Sequence, residues 1–221
     1  MTIEAVLPPV VVAAEATADD PAAVLFPEED ACVRGALDAR RREYATVRQC
    51  ARRALAVLGL PAVPIPSGVG REPLWPPGVV GSMTHCDGYR AAAVARAAKV
   101  HTIGIDAEPD EPLPEGVGVA LLTSRERVAV RELAGAVPAI SWDRLVFSAK
   151  EAVFKAWYPL THTWLDFEDA EIALNLDERS FLATVTLRAE NVAGSAPSTF
   201  AGRWSAQDGL LVAAVSPAAT D

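Results

Sequence analysis

A chain of 221 residues with 51% hydrophobic side chains can bury a core as one large domain or two small ones. Its net charge of -9 and pI near 4.9 argue against general binding of nucleic acid or membrane surfaces, so any anionic ligand needs a local cluster of cations. Cys32, Cys50 and Cys86 are odd in number and share no C-x-x-C spacing, which fits reduced thiols rather than a disulfide frame or a zinc site. The apolar stretch 5–14 is interrupted by Pro8-Pro9, is too short to span a bilayer and follows no basic leader, so a soluble cytoplasmic protein is expected.

In chain order, residues 28–59 read as helical, opened by Glu28, Glu29 and Asp30 and stopped by Gly59-Leu60-Pro61. Residues 61–81 hold six of the seventeen prolines and read as a structured loop. Tyr89 to Arg96 and Val100 to Ile105 read as two strands paired around Ala97-Ala98-Lys99. The acidic, Pro- and Gly-rich stretch Asp110 to Gly118 is the candidate linker. A helix is expected over 123–134, capped by Thr123 or Ser124.

Residues 141–158 give the clearest helix, capped by Ser141 and ended by Pro159. At about 100° per residue, Leu145, Ala149, Ala152, Val153 and Ala156 share one face, and Glu151 points away from it beside Arg144, Ser148 and Lys155. Four β-rich segments follow: Glu171 to Leu176, Phe181 to Leu187, Gly202 to Ser205 and Leu210 to Val215. Asn191 to Ser198 is a polar loop, and the last residues fray. Helices precede strands in each half, which permits two similarly built halves, 1–105 and 106–221. Trp75, Trp142, Trp157, Trp164 and Trp204 read as core or rim.

The chain has three lysines against seventeen arginines, and two of the three, Lys150 and Lys155, flank Glu151. Lysine is a movable point charge where arginine is a fixed fork, so this placement suggests chemistry on a phosphate; the plain alternative is an exposed ion pair between Glu151 and Lys155. Asp106 and Glu108 share one face of a strand end. Two such carboxylates repel unless a cation lies between them, and Mg²⁺ suits an all-oxygen set that Glu151 could complete; the alternative is a solvated acidic strand end. Gly81-Ser82-Met83-Thr84-His85-Cys86 can form a phosphate-holding turn or a buried turn with a hydrogen-bonded His. A His85–Cys86 nucleophile pair is the poorer reading, because adjacent strand residues point apart. The basic run Arg40-Arg41-Arg42, with Arg48, Arg52 and Arg53, is either a solvated face or a clamp for a terminal phosphate.

Together these blocks resemble the Sfp-type 4′-phosphopantetheinyl transferases. Ile103-Gly104-Ile105-Asp106-Ala107-Glu108 is similar to the family's G-[IV]-D-x-E signature, and Phe147 to Lys155 to its [FW]-[SC]-x-K-E-[AS]-x-x-K signature. Gly81 to Cys86, the block from Arg40 to Arg48 and Glu72-Pro73-Leu74-Trp75-Pro76 also look like those of its bacterial members, so that the likeness covers about residues 35–215.

The resemblance implies an α+β pseudo-dimer of two halves with coenzyme A in the cleft between them. It implies Mg²⁺, or Mn²⁺, on Asp106, Glu108 and Glu151. Lys150 and Lys155 would neutralise phosphate, with Lys155 aiding departure of 3′,5′-ADP. Arg40, Arg48, His85, Ser82 and Thr84 would hold the 3′-phosphate and neighbouring groups. Arg71 would stand in for a lysine that some relatives place in the preceding loop. The implied reaction moves phosphopantetheine to a serine of acyl or peptidyl carrier proteins, the proton going to Glu151 or to a water on the metal. A monomer is expected, docking its carrier through an apolar patch with a few arginines around 119–135. The other readings are a non-catalytic coenzyme A-binding module and a Mg²⁺-dependent phosphohydrolase.

Overall fold

The computed structural model describes residues 3–186 and 197–217. The expected loop at 191–198 and the frayed terminus fall largely outside these residues. The first half contains a 3-10 turn at Ile3–Val6, β1 (Val12–Ala16), α1 (Pro27–Cys32), α2 (Asp38–Val57), β2 (Val79–Cys86) and β3 (Tyr89–Arg96). Its strands form an antiparallel sheet in the order β1-β3-β2.

The single helix expected over 28–59 is broken at 33–37. Glu29 explains the break: its carboxylate is fully buried, accepts from the Phe26, Ile65 and Arg52 nitrogens, and so turns α1 onto α2. The supposed turn at 81–86 is strand β2. The turn itself is Asp87-Gly88, with Gly88 at φ 67°, a two-residue hairpin of the Asp-Gly kind.

Four of the eight residues of β3 are alanine because both of its faces are covered. Ala92 and Val94 pack under α2 with Cys50, Ala54 and Leu55, while Ala91, Ala93 and Ala95 meet Ile105, Ala107 and Ala214 of the other half. Small side chains let three layers close on one strand.

The second half contains β4 (Gly104–Pro109), α3 (Val117–Leu121), α4 (Ser124–Ala136), α5 (Trp142–Thr161), a 3-10 turn at Phe167–Asp169, β5 (Ala170–Asn175), β6 (Ser180–Val185), β7 (Thr199–Gln207) and β8 (Leu210–Val215). The antiparallel sheet has the order β4-β8-β7-β6-β5. Each half thus lays a 20-residue helix, α2 or α5, across an antiparallel sheet. This is the α+β architecture expected.

Three local expectations change. The strand at 100–105 does not pair with β3: the chain turns at Arg96–Val100, crosses to the C-terminal segment through His101 N–H to Pro217 C=O, and then pairs with β8 as β4. The stretch 110–118 is no linker between the halves. It is pinned to the start of α5 by bonds from Ser141 N–H to Asp110, from Leu113 N–H to Asp143 and from Arg144 to the Glu111 and Pro112 carbonyls. Helix α5 runs past Pro159 to Thr161 and stops where His162 takes φ 50°.

The stripe read for α5 holds. Leu145, Ala149, Ala152, Val153 and Ala156 are fully buried against Trp142, Trp157, Phe200 and Trp204. What seats α5 on the sheet is Gly104. A Cβ there would lie 1.8 Å from the Ala152 carbonyl oxygen and 2.8 Å from the Ala156 nitrogen. The Thr102 hydroxyl donates to the Ala156 carbonyl at 2.8 Å, fastening the same contact.

The halves are joined along β2 and β4. Ser82 Oγ accepts from Ile105 N–H at 3.1 Å and Thr84 Oγ1 from Ala107 N–H at 3.0 Å, so the two strands run in the same direction. The hydroxyls satisfy backbone donors on the edge of β4 that faces away from β8.

Gly104→Ala forces α5 off β4. We expect a loss of about 1–3 kcal/mol, read as a lower urea midpoint with an unchanged m-value, together with a fall in activity.

Candidate active site

A cleft of about 890 Å³ lies between the halves. One wall is the N-terminal part of α2, the loop 67–73 and β2; the other is the outward stripe of α5, Glu151, Phe154, Lys155, Tyr158 and Pro159, with Trp164 at the rim. The 3.6-residue period that buries one side of α5 delivers these side chains to the cleft. Loop 67–73 rests on the opposite wall, where a Cβ on Gly70 would fall 2.2 Å from the Tyr158 ring.

Of the cations expected in the cleft, Arg40, Arg48, Arg71 and Lys155 line it. Arg48 is nearly buried, lies 3.3 Å over the Tyr44 ring and donates to Ile65 C=O and Ser67 Oγ, each at 3.2 Å. Burial pushes its pKa down to about 10, which leaves it charged near neutral pH. Arg71 reaches the cleft from a residue at φ 67°, a conformation that a non-glycine residue adopts at a cost.

Arg40 hydrogen-bonds His85 Nε2 and Glu43. Burial, then the Arg40 charge, pushes His85 down to about 4, with Glu43 opposing. A neutral imidazole accepting from Arg40 aims that guanidinium, a role sequence alone did not suggest.

Lys155 Nζ donates to Asp106 Oδ1 at 2.7 Å and to Ile105 C=O at 3.1 Å. Asp106 is buried, and among the described residues its Oδ2 has no hydrogen-bond partner. Glu108 is paired with Arg144 at 3.0 Å. Burial, then the Asp106 charge, pushes its carboxyl above the usual range, against Arg144. Burial also raises Glu151, with Asp106 and Glu108 adding to the effect and Lys155 opposing it.

The three carboxylates therefore feel one another. Among the described residues, however, they do not converge as a ready metal cage; Lys155 and Arg144 are their counter-ions. The all-oxygen donor set and the covered, unpartnered Asp106 Oδ2 fit a hard divalent cation.

Two residues expected on phosphate are elsewhere. Lys150 follows Lys155 neither in face nor in role: about 100° round the helix from Glu151, it is 2% exposed and paired with Glu126 at 2.8 Å, and donates to Phe167 C=O at 2.6 Å. Glu126 also accepts from Ile172 and Thr123 N–H, both at 2.7 Å. Thr84 is 1% exposed beneath the cleft, its hydroxyl committed to Ala107 and Asp106. Ser82 borders the cleft, but its hydroxyl serves Ile105. Cys86 is pushed up to about 12 by burial and by Glu108 and Asp106, which keeps it a thiol and disposes of the nucleophile pair.

Sequence reading missed Glu126, whose Thr-x-x-Glu spacing from Thr123 marked a capping box. It also gave no role to Glu72, which lines the cleft. Nothing local marked Arg144 as the partner of Glu108.

Two α+β halves enclose a cleft walled by cations on one side, with carboxylates at its inner edge. The model of the 4′-phosphopantetheinyl transferase N-terminal domain matches residues 28–95, and that of the 4′-phosphopantetheinyl transferase superfamily matches 102–201. The chain is 52% identical to 4′-phosphopantetheinyl transferase Svp of Streptomyces mobaraensis, over 91% of this chain and 82% of that one. It is 43% identical to 4′-phosphopantetheinyl transferase PptT of Mycobacterium tuberculosis, over 91% and 90%. For 4′-phosphopantetheinyl transferase Npt of Nocardia iowensis the figures are 42%, 97% and 99%. The chain belongs to the 4′-phosphopantetheinyl transferase superfamily. The binding-module and phosphohydrolase readings find no support in these likenesses. Among the described residues no helix is long and apolar enough to cross a membrane.

Two outcomes follow from this geometry. An unfolded His binds protons near pH 6.5 whereas the folded His85 binds them only near pH 4, so its contribution to stability declines as pH falls through that window. NMR titration should find the ring neutral at pH 6, and Arg40→Ala should raise its midpoint without restoring 6.5, because burial is the larger cause. Lys150→Met strands the buried Glu126 carboxylate. It should cost about 3 kcal/mol in urea unfolding while changing KM for coenzyme A less than about twofold.

Proposed function

We propose that this chain transfers the 4′-phosphopantetheine group of coenzyme A to a serine of an acyl or peptidyl carrier protein, leaving 3′,5′-ADP. The observation that carries the reading is Lys155, reaching from the cleft-facing stripe of α5 to Asp106 while Glu151 stands one turn earlier with no hydrogen-bond partner among the described residues. Arg40, Arg48 and Arg71, with His85 aiming Arg40, receive the 3′-phosphate end. The carrier serine oxygen forms a bond to the phosphorus that bears pantetheine, the bridging bond to 3′,5′-ADP breaks, and the serine proton passes to Glu151. Lys155 stands where charge builds on the leaving phosphate.

Asp106, Glu108 and Glu151 are the residues that would hold Mg²⁺ or Mn²⁺. Such an ion, when bound, neutralises pyrophosphate charge, and phosphoryl transfer depends mainly on that neutralisation and on positioning. Exposed Val117, Val119 and Val128, with Arg125 nearby, supply the apolar, arginine-bearing surface on α3 and α4 that suits a carrier helix.

The test is mass spectrometry of an apo carrier protein incubated with coenzyme A, Mg²⁺ and the enzyme. A gain of one phosphopantetheine is expected, abolished by EDTA and by Glu151→Gln. No gain on any of several carriers would sink the proposal.

A further inference from the structure

Thr84 occupies an unusual place for a residue of the coenzyme A half: buried, on β2, with its oxygen against the backbone of β4. Its Oγ1 accepts the Ala107 N–H at 3.0 Å, so the hydroxyl proton must be spent on something else. It goes to Asp106 Oδ1 at 3.2 Å. The same Oδ1 also takes the Lys155 ammonium at 2.7 Å. Asp106 Oδ2 is covered and receives no hydrogen bond from the described residues. One oxygen of this carboxylate is therefore saturated and the other is left with open lone pairs.

Each link is fixed by its neighbour. Thr84 and Ala107 face each other because β2 and β4 run side by side, with Ser82 and Ile105 making the matching bond two residues earlier. The β-branched side chain has few rotamers, and the amide bond selects one of them. A hydroxyl that both accepts from a rigid backbone group and donates to the carboxylate acts as a strut between the two.

We infer that Thr84 is a positioning residue for the metal-binding group: it holds Asp106 with Oδ1 occupied and Oδ2 free, so that this carboxylate offers a cation one oxygen. The inference rests on the assignment of Asp106 as a metal ligand made above. Partners of ligand carboxylates set ligand orientation, and their loss generally weakens metal affinity by about tenfold or more. It also gives the coenzyme A half a direct hold on a ligand in the other half.

The experiment is a Mn²⁺ titration of the full chain with saturating coenzyme A and no carrier, with free Mn²⁺ read by electron paramagnetic resonance. Thr84→Val should weaken Mn²⁺ about tenfold, whereas Thr84→Ser, which keeps the hydroxyl, should stay within about twofold of wild type. Thr46→Val removes a different buried hydroxyl, on α2 and bonded to the Asp20 N–H and the Arg42 carbonyl, and should lower stability without changing Mn²⁺ affinity. Equal affinity in Thr84→Val and wild type overturns the inference, as does equal weakening in Thr84→Val and Thr46→Val. So does a wild type that binds no Mn²⁺. Should Thr84→Val not fold, Thr84→Cys, with its weaker donor, carries the test: several-fold weakening supports the inference and none overturns it. Carrier modification by wild type is read separately, so a failure of the proposed reaction is distinguishable from a failure of this strut.

Discussion

The backbone of β4 touches the backbone of α5 at Gly104, and the rest of the site depends on that contact. A helix packed on a sheet ordinarily keeps a layer of side chains between the two. Here the Ala152 carbonyl occupies the space of the missing Cβ, and the Thr102 hydroxyl bonds the next turn. Two residues further along the strand, Asp106 meets Lys155. With a spacer layer between them, a lysine on α5 and an aspartate on β4 would not share a proton donor and acceptor at contact distance.

The second constraint is electrostatic. A strongly acidic protein has to present a cationic wall, and it does so with few groups, each held by others. Tyr44 and Ser67 hold Arg48, and His85 directs Arg40. The carboxylates opposite are held in the same way by Lys155 and Arg144, so the inner edge of the cleft is a set of crossed pairs rather than a free anionic cluster. Burial is the main reason that the Glu108 and Glu151 carboxyls are raised, with the neighbouring carboxylates adding to it.

Much of this was legible in the sequence where a pattern is local and periodic. The apolar stripe of α5 fixed its buried side, and hence the direction of Glu151 and Lys155. The alternation of Asp106 and Glu108 put them on one strand face. Legibility failed where the answer depends on which distant element arrives. Lys150 looked like a phosphate ligand because it flanks Glu151 together with Lys155, but one helical step turns it toward Glu126, which becomes its partner only when α4 folds over. The strand after β3 was expected to pair locally, and the C-terminal strand β8 claimed it instead. The Asp87-Gly88 turn was readable and was masked by the glycine and hydroxyls just before it, which suit a loop as well as a strand sealed by another half. Helix α2 was extended one segment too far because the one weak helix former in 33–37, Gly35, was outweighed by its Ala- and Arg-rich flanks; the buried Glu29 sets the break.

The scarcity of lysine has a practical corollary. Of the three ammonium groups, Lys99 stands exposed on the turn after β3, Lys150 is sealed in the core of the second half, and Lys155 sits about a quarter exposed at the inner edge of the cleft. Arginine is inert to the acylating reagents that attack amines. Among side chains, amine-directed tags and surface couplings therefore meet one exposed lysine, Lys99, alongside the α-amino group, and a partly exposed second one at the inner edge of the cleft.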